Sequence, residues 1–290
     1  MSGPVVVGVS LEGHGEAAVR WAAAEAREQG VGLRLVHASA VPVGGHPGLS
    51  GIDPGRALRT LARRELDDAR RMVHATAPDL VVDEHVVPGD PAGVLRVQAA
   101  TASTVVIGDD GFGSLAEVLI RGVARDLVGH IAVPLVVVPP DDREPGDGGE
   151  GGDADRAAGA VVVGDDLTAG ARGALDFAAR RAARHGAPLV VVRAAADART
   201  VPEEPPELAV RPPSVRVVIA EERADRVLAD QARGAELLVL GVAEHGLLHH
   251  HHRTRPALAR HAGCPVAIVP PARPQAAGAV PAGTAEVGVP

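Results

Sequence analysis

Apolar, β-branched residues recur along this chain in short runs separated by amphipathic stretches. Val5–Val9, Leu33–Ala38, Val81–Val87, Thr104–Gly108 and Leu135–Val138 are predicted strands, most with the near-continuous hydrophobicity of strands covered on both faces. Between them, apolar spacing of three and four predicts helices at about 15–29, 54–77, 91–101 and 115–129. A second series follows, with strands at Val161–Gly164, Leu189–Arg193, Val215–Ala220, Leu237–Gly241 and Val266–Val269 and helices near 169–185, 222–233 and 256–262. Alternation of this kind predicts an α/β fold with a doubly wound parallel sheet. Ligands of such sheets bind at the carboxyl ends of the strands, so residues after the first and fourth strands are the candidates for function.

The two series repeat one another. PVVVGVS at Pro4–Ser10 corresponds to AVVVGDD at Ala160–Asp166, and LRLVHAS at Leu33–Ser39 to LVVVRAA at Leu189–Ala195, both offset by 156. The helix around Trp21 matches that around Phe177 at the same offset. Gly108 and Gly241 are offset by 133, and Pro134 and Pro265 by 131. A constant offset with two discrete drops is the mark of a duplicated domain that has suffered two deletions. The first deletion removes 23 residues and falls opposite the amphipathic segment Arg56–Ala77. The second copy has there a stretch with Pro202, Pro205, Pro206, Pro212 and Pro213, which no helix interior tolerates. The organisation expected is therefore a first domain at 1–139, a linker at 140–159, a second domain at 160–271 that lacks one helix, and a disordered tail at 272–290.

Charge changes this picture mainly at the linker. The formal net charge is −8, and the Gly- and Pro-rich segment Pro139–Gly159 carries −5 of it, as expected of a solvated tether. All 29 basic residues are arginine, which excludes a Walker-type lysine and Schiff-base chemistry. Trp21, Phe112 and Phe177 are the only aromatics, too few for a base-stacking platform, and the acidic balance argues against nucleic acid. The single cysteine, Cys264, precludes an internal disulfide and suits a reducing compartment, where a small buried thiol is its expected role. MSGPVVVGVS lacks a basic start and a long apolar stretch, and no run approaches the ~20 residues that span a bilayer. A cytoplasmic protein without membrane contact is expected.

After the fourth strand the first copy has VVIGDDGFGSLAEVLIRG, and the step into the last strand of the second copy is CPV. On these residues and the repeated β/α pattern, the chain resembles the universal stress protein family in tandem form, over everything except linker and tail. The resemblance implies two flavodoxin-like (Rossmann-like) domains, each with strand order 3-2-1-4-5, that pair through their last strands, here Leu135–Val138 and Val266–Val269. ATP-binding members carry G-x2-G-x9-G-[S/T] around the phosphates, where glycines admit backbone N–H groups and a helix N-terminus favours negative charge. Gly108 and Gly111 match the first two glycines, nine residues follow, and Arg121 and Gly122 then stand at the glycine and hydroxyl positions. Asp109 and Asp110 add negative charge inside that loop, and Ser10 replaces the aspartate that contacts the nucleoside.

In the second copy Asp166 matches that aspartate with Thr168 near the usual serine, and Gly241 matches the first glycine. Glu244, His252 and Arg253 occupy the remaining motif positions. Each copy thus retains a different fragment of a site. The reading is a non-enzymatic stress-response or regulatory protein with degenerate nucleotide sites and an unidentified protein partner. An adenine-nucleotide (ATP) sensor is the alternative, with Ser10, Gly108, Gly111, Arg121, Gly122, Asp166, Gly241 and Arg253 as its binding positions. A third reading makes His245, His249, His250, His251 and His252 a zinc, copper or nickel site, without a cysteine or spaced carboxylate to complete it. Asp83, Glu84 and His85 alternate across a strand and form no triad, and Ser114 lies in no nucleophile elbow.

Overall fold

In the computed structural model the described residues are 3–10, 15–39, 54–108, 116–141, 159–194, 202, 204, 206–220, 224–242 and 262–271, with side chains undescribed at 54, 116–121, 169 and 194. The first half runs β1 (Val5–Gly8), α1 (Glu16–Gln29), β2 (Leu33–Ser39), α2 (Pro54–Thr76), β3 (Val82–Pro88), α3 (Pro91–Ala99), β4 (Thr104–Gly108), α4 (Ala116–Leu127) and β5 (Leu135–Val138). The second half runs β6 (Val161–Asp165), α5 (Ala169–His185), β7 (Leu189–Ala194), β8 (Val215–Ala220), α6 (Ala224–Ala232), β9 (Leu237–Gly241) and β10 (Val266–Val269). Every predicted strand is present within a residue or two of its expected limits. The helix expected at 256–262 falls largely outside the described residues, as do the linker from 142 to 158 and the tail. Of the described residues between β7 and β8, none is helical.

All ten strands form one sheet, in the order β3-β2-β1-β4-β5-β10-β9-β6-β7-β8. Each half has the order 3-2-1-4-5 with parallel neighbours, and the halves meet through an antiparallel β5–β10 pair. Edge strands that would otherwise present free N–H and C=O groups cover one another there. Val5–Val7, Val161–Val163 and Leu237–Val239 are wholly buried, as near-continuous apolar strands require. On one face of the sheet a single core, containing side chains of α1, α2 and α5, runs across both halves; on the other, two separate clusters lie under α3 and α4 and under α6.

The helices against the sheet are alanine-rich where they touch it. Ala18, Ala22 and Ala26 of α1 and Ala174, Ala178 and Ala182 of α5 are fully buried. With so few aromatics, small helix faces and Val/Leu strands reach native packing density by close approach. Both helices end on a glycine in the left-handed region, Gly30 at φ 64° and Gly186 at φ 65°, a conformation that other residues adopt only with strain. α3 is started by Asp90, whose Oδ1 accepts the Gly93 N–H at 2.8 Å, with Pro91 fixing the first turn.

Candidate functional site at the strand ends

The carboxyl ends of β1 and β4 lie side by side, because β1 pairs with β4 from Val5↔Thr104 to Val7↔Val106. Ser10 follows β1, and its Oγ is buried without a hydrogen-bond partner among the described residues. Beside it, His37 of β2 is buried and its Nδ1 donates to the Val9 carbonyl at 2.9 Å. That bond assigns the proton to Nδ1, since a carbonyl only accepts. Gly108 closes β4 and is partly buried; Gly111, Asp109, Asp110 and Ser114 lie outside the described residues.

The helix expected at about 115–129 is α4, Ala116–Leu127, so the motif positions Arg121 and Gly122 sit inside it. Gly122 therefore does not present its N–H at a helix start. A Cβ there would meet nothing within 4 Å, so no close approach demands glycine.

The second strand end has a different chemistry. The positions equivalent to Val9 and His37 are Asp165 and Arg193, both buried, and they form an ion pair with Arg193 Nε 2.9 Å from Asp165 Oδ2. Arg193 Nη1 also donates to the carbonyls of Pro202 and of Glu204, the latter at 2.8 Å. The fork of the guanidinium thus ties the proline-rich segment, which stands where the first half has α2, onto the end of the sheet. Asp165 Oδ1 accepts the Leu167 N–H at 3.0 Å. Leu167 is a non-glycine residue at φ 60°, held by this turn.

Asp166, matched to the nucleoside-contacting aspartate, is exposed, and its Oδ1 takes both the N–H and the hydroxyl of Thr168 at 3.1 and 2.6 Å. Gly241 has a packing reason of its own: a Cβ would stand 3.0 Å from the Gly170 carbonyl oxygen and 3.4 Å from Ala171 Cα at the start of α5. At this strand end Asp165 and Arg193 satisfy one another, as do Asp166 and Thr168. Arg253, Glu244 and the histidines at 245–252 lie outside the described residues, and among those described no cluster of three His, Cys, Asp or Glu could hold a metal.

Cys264 is buried, and desolvation pushes its thiol up to about 12, against a smaller opposing contact with the Leu238 backbone. It is neutral and unreactive at ordinary pH. Sequence reasoning missed His37, Asp165 and Arg193. The available signal was a charged residue closing the apolar run LVVVRA, and an aspartate where the first copy has valine.

The universal stress protein family model matches residues 1–139. Residues 1–139 therefore form a universal stress protein domain. A universal stress protein of Mycolicibacterium smegmatis is 26% identical over 267 residues, covering 82% of this chain and 86% of the relative. One from Mycobacterium tuberculosis is 29% identical over 152 residues, 49% of this chain and 50% of that protein. Among solved structures, a universal stress protein from Archaeoglobus fulgidus superposes with a TM-score of 0.70 over 93% of this chain and 97% of its own, at 15% identity. That likeness extends the fold across both halves. No described helix is long and apolar enough to cross a membrane.

Proposed function

We propose that the chain is a non-enzymatic stress-response or regulatory protein with degenerate nucleotide sites, built as two domains, 1–139 and 160–271, on a linker at 140–159. The observation that carries this reading is the buried Asp165–Arg193 pair with its strap of Pro202 and Glu204 carbonyls. A buried guanidinium whose charge is already met by a carboxylate and two carbonyls attracts a phosphate weakly, and the neighbouring carboxylates repel one. In the first half, the motif's hydroxyl is missing and its final positions lie within α4. Output then passes through a protein partner. Calorimetric titration with low-millimolar MgATP tests the proposal, together with analysis of any nucleotide released from the purified protein. No heat and no nucleotide are expected; tight binding at two sites per chain would overturn it.

A second reading, an ATP sensor acting through the first half alone, is favoured by Ser10. Its buried Oγ, without a partner among the described residues at the end of β1, is a group that a ribose hydroxyl or a base would satisfy. One nucleotide bound per chain, lost in Ser10→Val and retained in Arg193→Leu, would establish that reading in place of the first.

A further inference from the structure

The two halves are related by a pseudo-twofold axis that the strand register locates. Val136 and Ala267 are equivalent positions, at offset 131, and they pair with one another; Leu135 pairs with Ile268, and Val137 with Val266. Exchanging the halves maps this pattern onto itself, so the axis passes through the Val136–Ala267 pair. Residues close to the axis meet their own equivalents.

Helices α1 and α5 do so with opposite charges. Glu25 and Arg181 are equivalent at offset 156, and so are Glu28 and Arg184. Arg181 Nη1 binds Glu25, and the two side chains are only 7% and 2% exposed. Around them, Arg181 reaches Glu28 at 3.4 Å, Arg184 reaches Glu25 at 3.4 Å and Glu28 at 3.9 Å, and His185 reaches Glu28 at 2.6 Å. Within its own half Arg181 Nε binds Glu236 at 2.7 Å, and its guanidinium lies 5.3 Å from the Trp21 ring centroid. The position equivalent to Glu236 is Ser103, whose buried Oγ has no partner among the described residues. The network is therefore complementary across the axis and different on its two sides.

We propose that this face is a pairing surface that selects unlike halves, so that the first half accepts the second half of its chain and rejects a copy of itself. Pairing two first halves in this register would bring Glu25 against Glu25, and pairing two second halves would bring Arg181 against Arg181. Each case buries like charges with no counter-charge from across the axis. Val136 would also meet Val136, or Ala267 meet Ala267, where one large and one small side chain now fit together. Duplication has thus converted a self-complementary surface into a directional one, closed to partners that carry glutamate at the position of Glu25.

The test uses the full chain with a protease site introduced at residues 146–149, folded intact, cut, and read by native mass spectrometry. The first–second pair is expected as the only dimeric species. Glu25→Arg, which gives position 25 the charge of position 181, should weaken association of the pieces by roughly a hundredfold or more, and well beyond the neutral Glu25→Gln. The mirrored variant exchanges every charged position of the network, Glu25→Arg, Glu28→Arg, Gln29→His and Ser103→Glu with Arg181→Glu, Arg184→Glu, His185→Gln and Glu236→Ser, and should restore the unlike pair. First–first or second–second pairs as abundant as the unlike pair would overturn the proposal. So would equal effects of Glu25→Arg and Glu25→Gln, or a mirrored variant that folds but does not pair. Where Glu25→Arg alone fails to fold, the mirrored variant decides.

Discussion

Arg193 and His37 occupy equivalent positions in two copies of one strand, and the residue each faces has changed with it. Histidine donates to the Val9 backbone, whereas arginine requires the Asp165 carboxylate and gathers two further carbonyls. Removing one member of a buried ion pair leaves an uncompensated charge, at a cost of about 3–5 kcal/mol. Arg193→Leu is expected to lose that much in urea unfolding, while Asp165→Val with Arg193→His, which transplants the first-half pair, should recover most of it. Cys264 offers a second check. Its thiol is raised in the folded state relative to its ordinary value, so the folded protein holds the proton at pH values where the unfolded chain has released it. Stability from this group is complete below about pH 9 and falls as pH rises towards about 12, by ~1.4 kcal/mol per pH unit. A serine at 264 should remove that component of the pH dependence, and a thiol reagent should label the native protein only on unfolding.

At the scale of elements, the strands were legible because both faces of each are covered, which enforces continuous apolar runs. So was α4, expected at about 115–129 and found at Ala116–Leu127, with the motif position Gly122 inside it. The two motif glycines should consequently respond in opposite directions. Gly122→Ala meets open space and is expected to stabilise by about 0.5–1 kcal/mol through lower unfolded-state entropy. Gly241→Ala forces a Cβ against the Gly170 carbonyl and should destabilise by about 1–3 kcal/mol. Thermal unfolding of the two variants distinguishes a packing glycine from one without a structural demand. The Pro202–Pro213 segment illustrates the other limit. Its prolines predict no helix opposite α2, and none of the described residues there is helical, but only the folded chain shows that Arg193 holds two of its carbonyls.

For the whole molecule, a ten-stranded sheet and one core shared by α1, α2 and α5 couple the halves. A single calorimetric transition is expected. Ala267→Asp, which introduces a carboxylate at a fully buried position on the pseudo-twofold axis, should split it into two. Persistence of one transition in that variant would mean that the β10 pairing contributes little to the coupling.

Two repeated halves and the limits of their strands could be read from the amino-acid sequence, because both follow from local hydrophobic pattern and repeat spacing. Only the tertiary structure decided which charges meet. Glu25 and Arg181 are 156 positions apart, and each alone resembles an ordinary helix-surface residue. Their burial and partnership follow from the axis created when β5 lies antiparallel to β10. Long-range electrostatic complementarity of this kind has no local signature in sequence, because the desolvation that gives it force exists only after the sheet has closed.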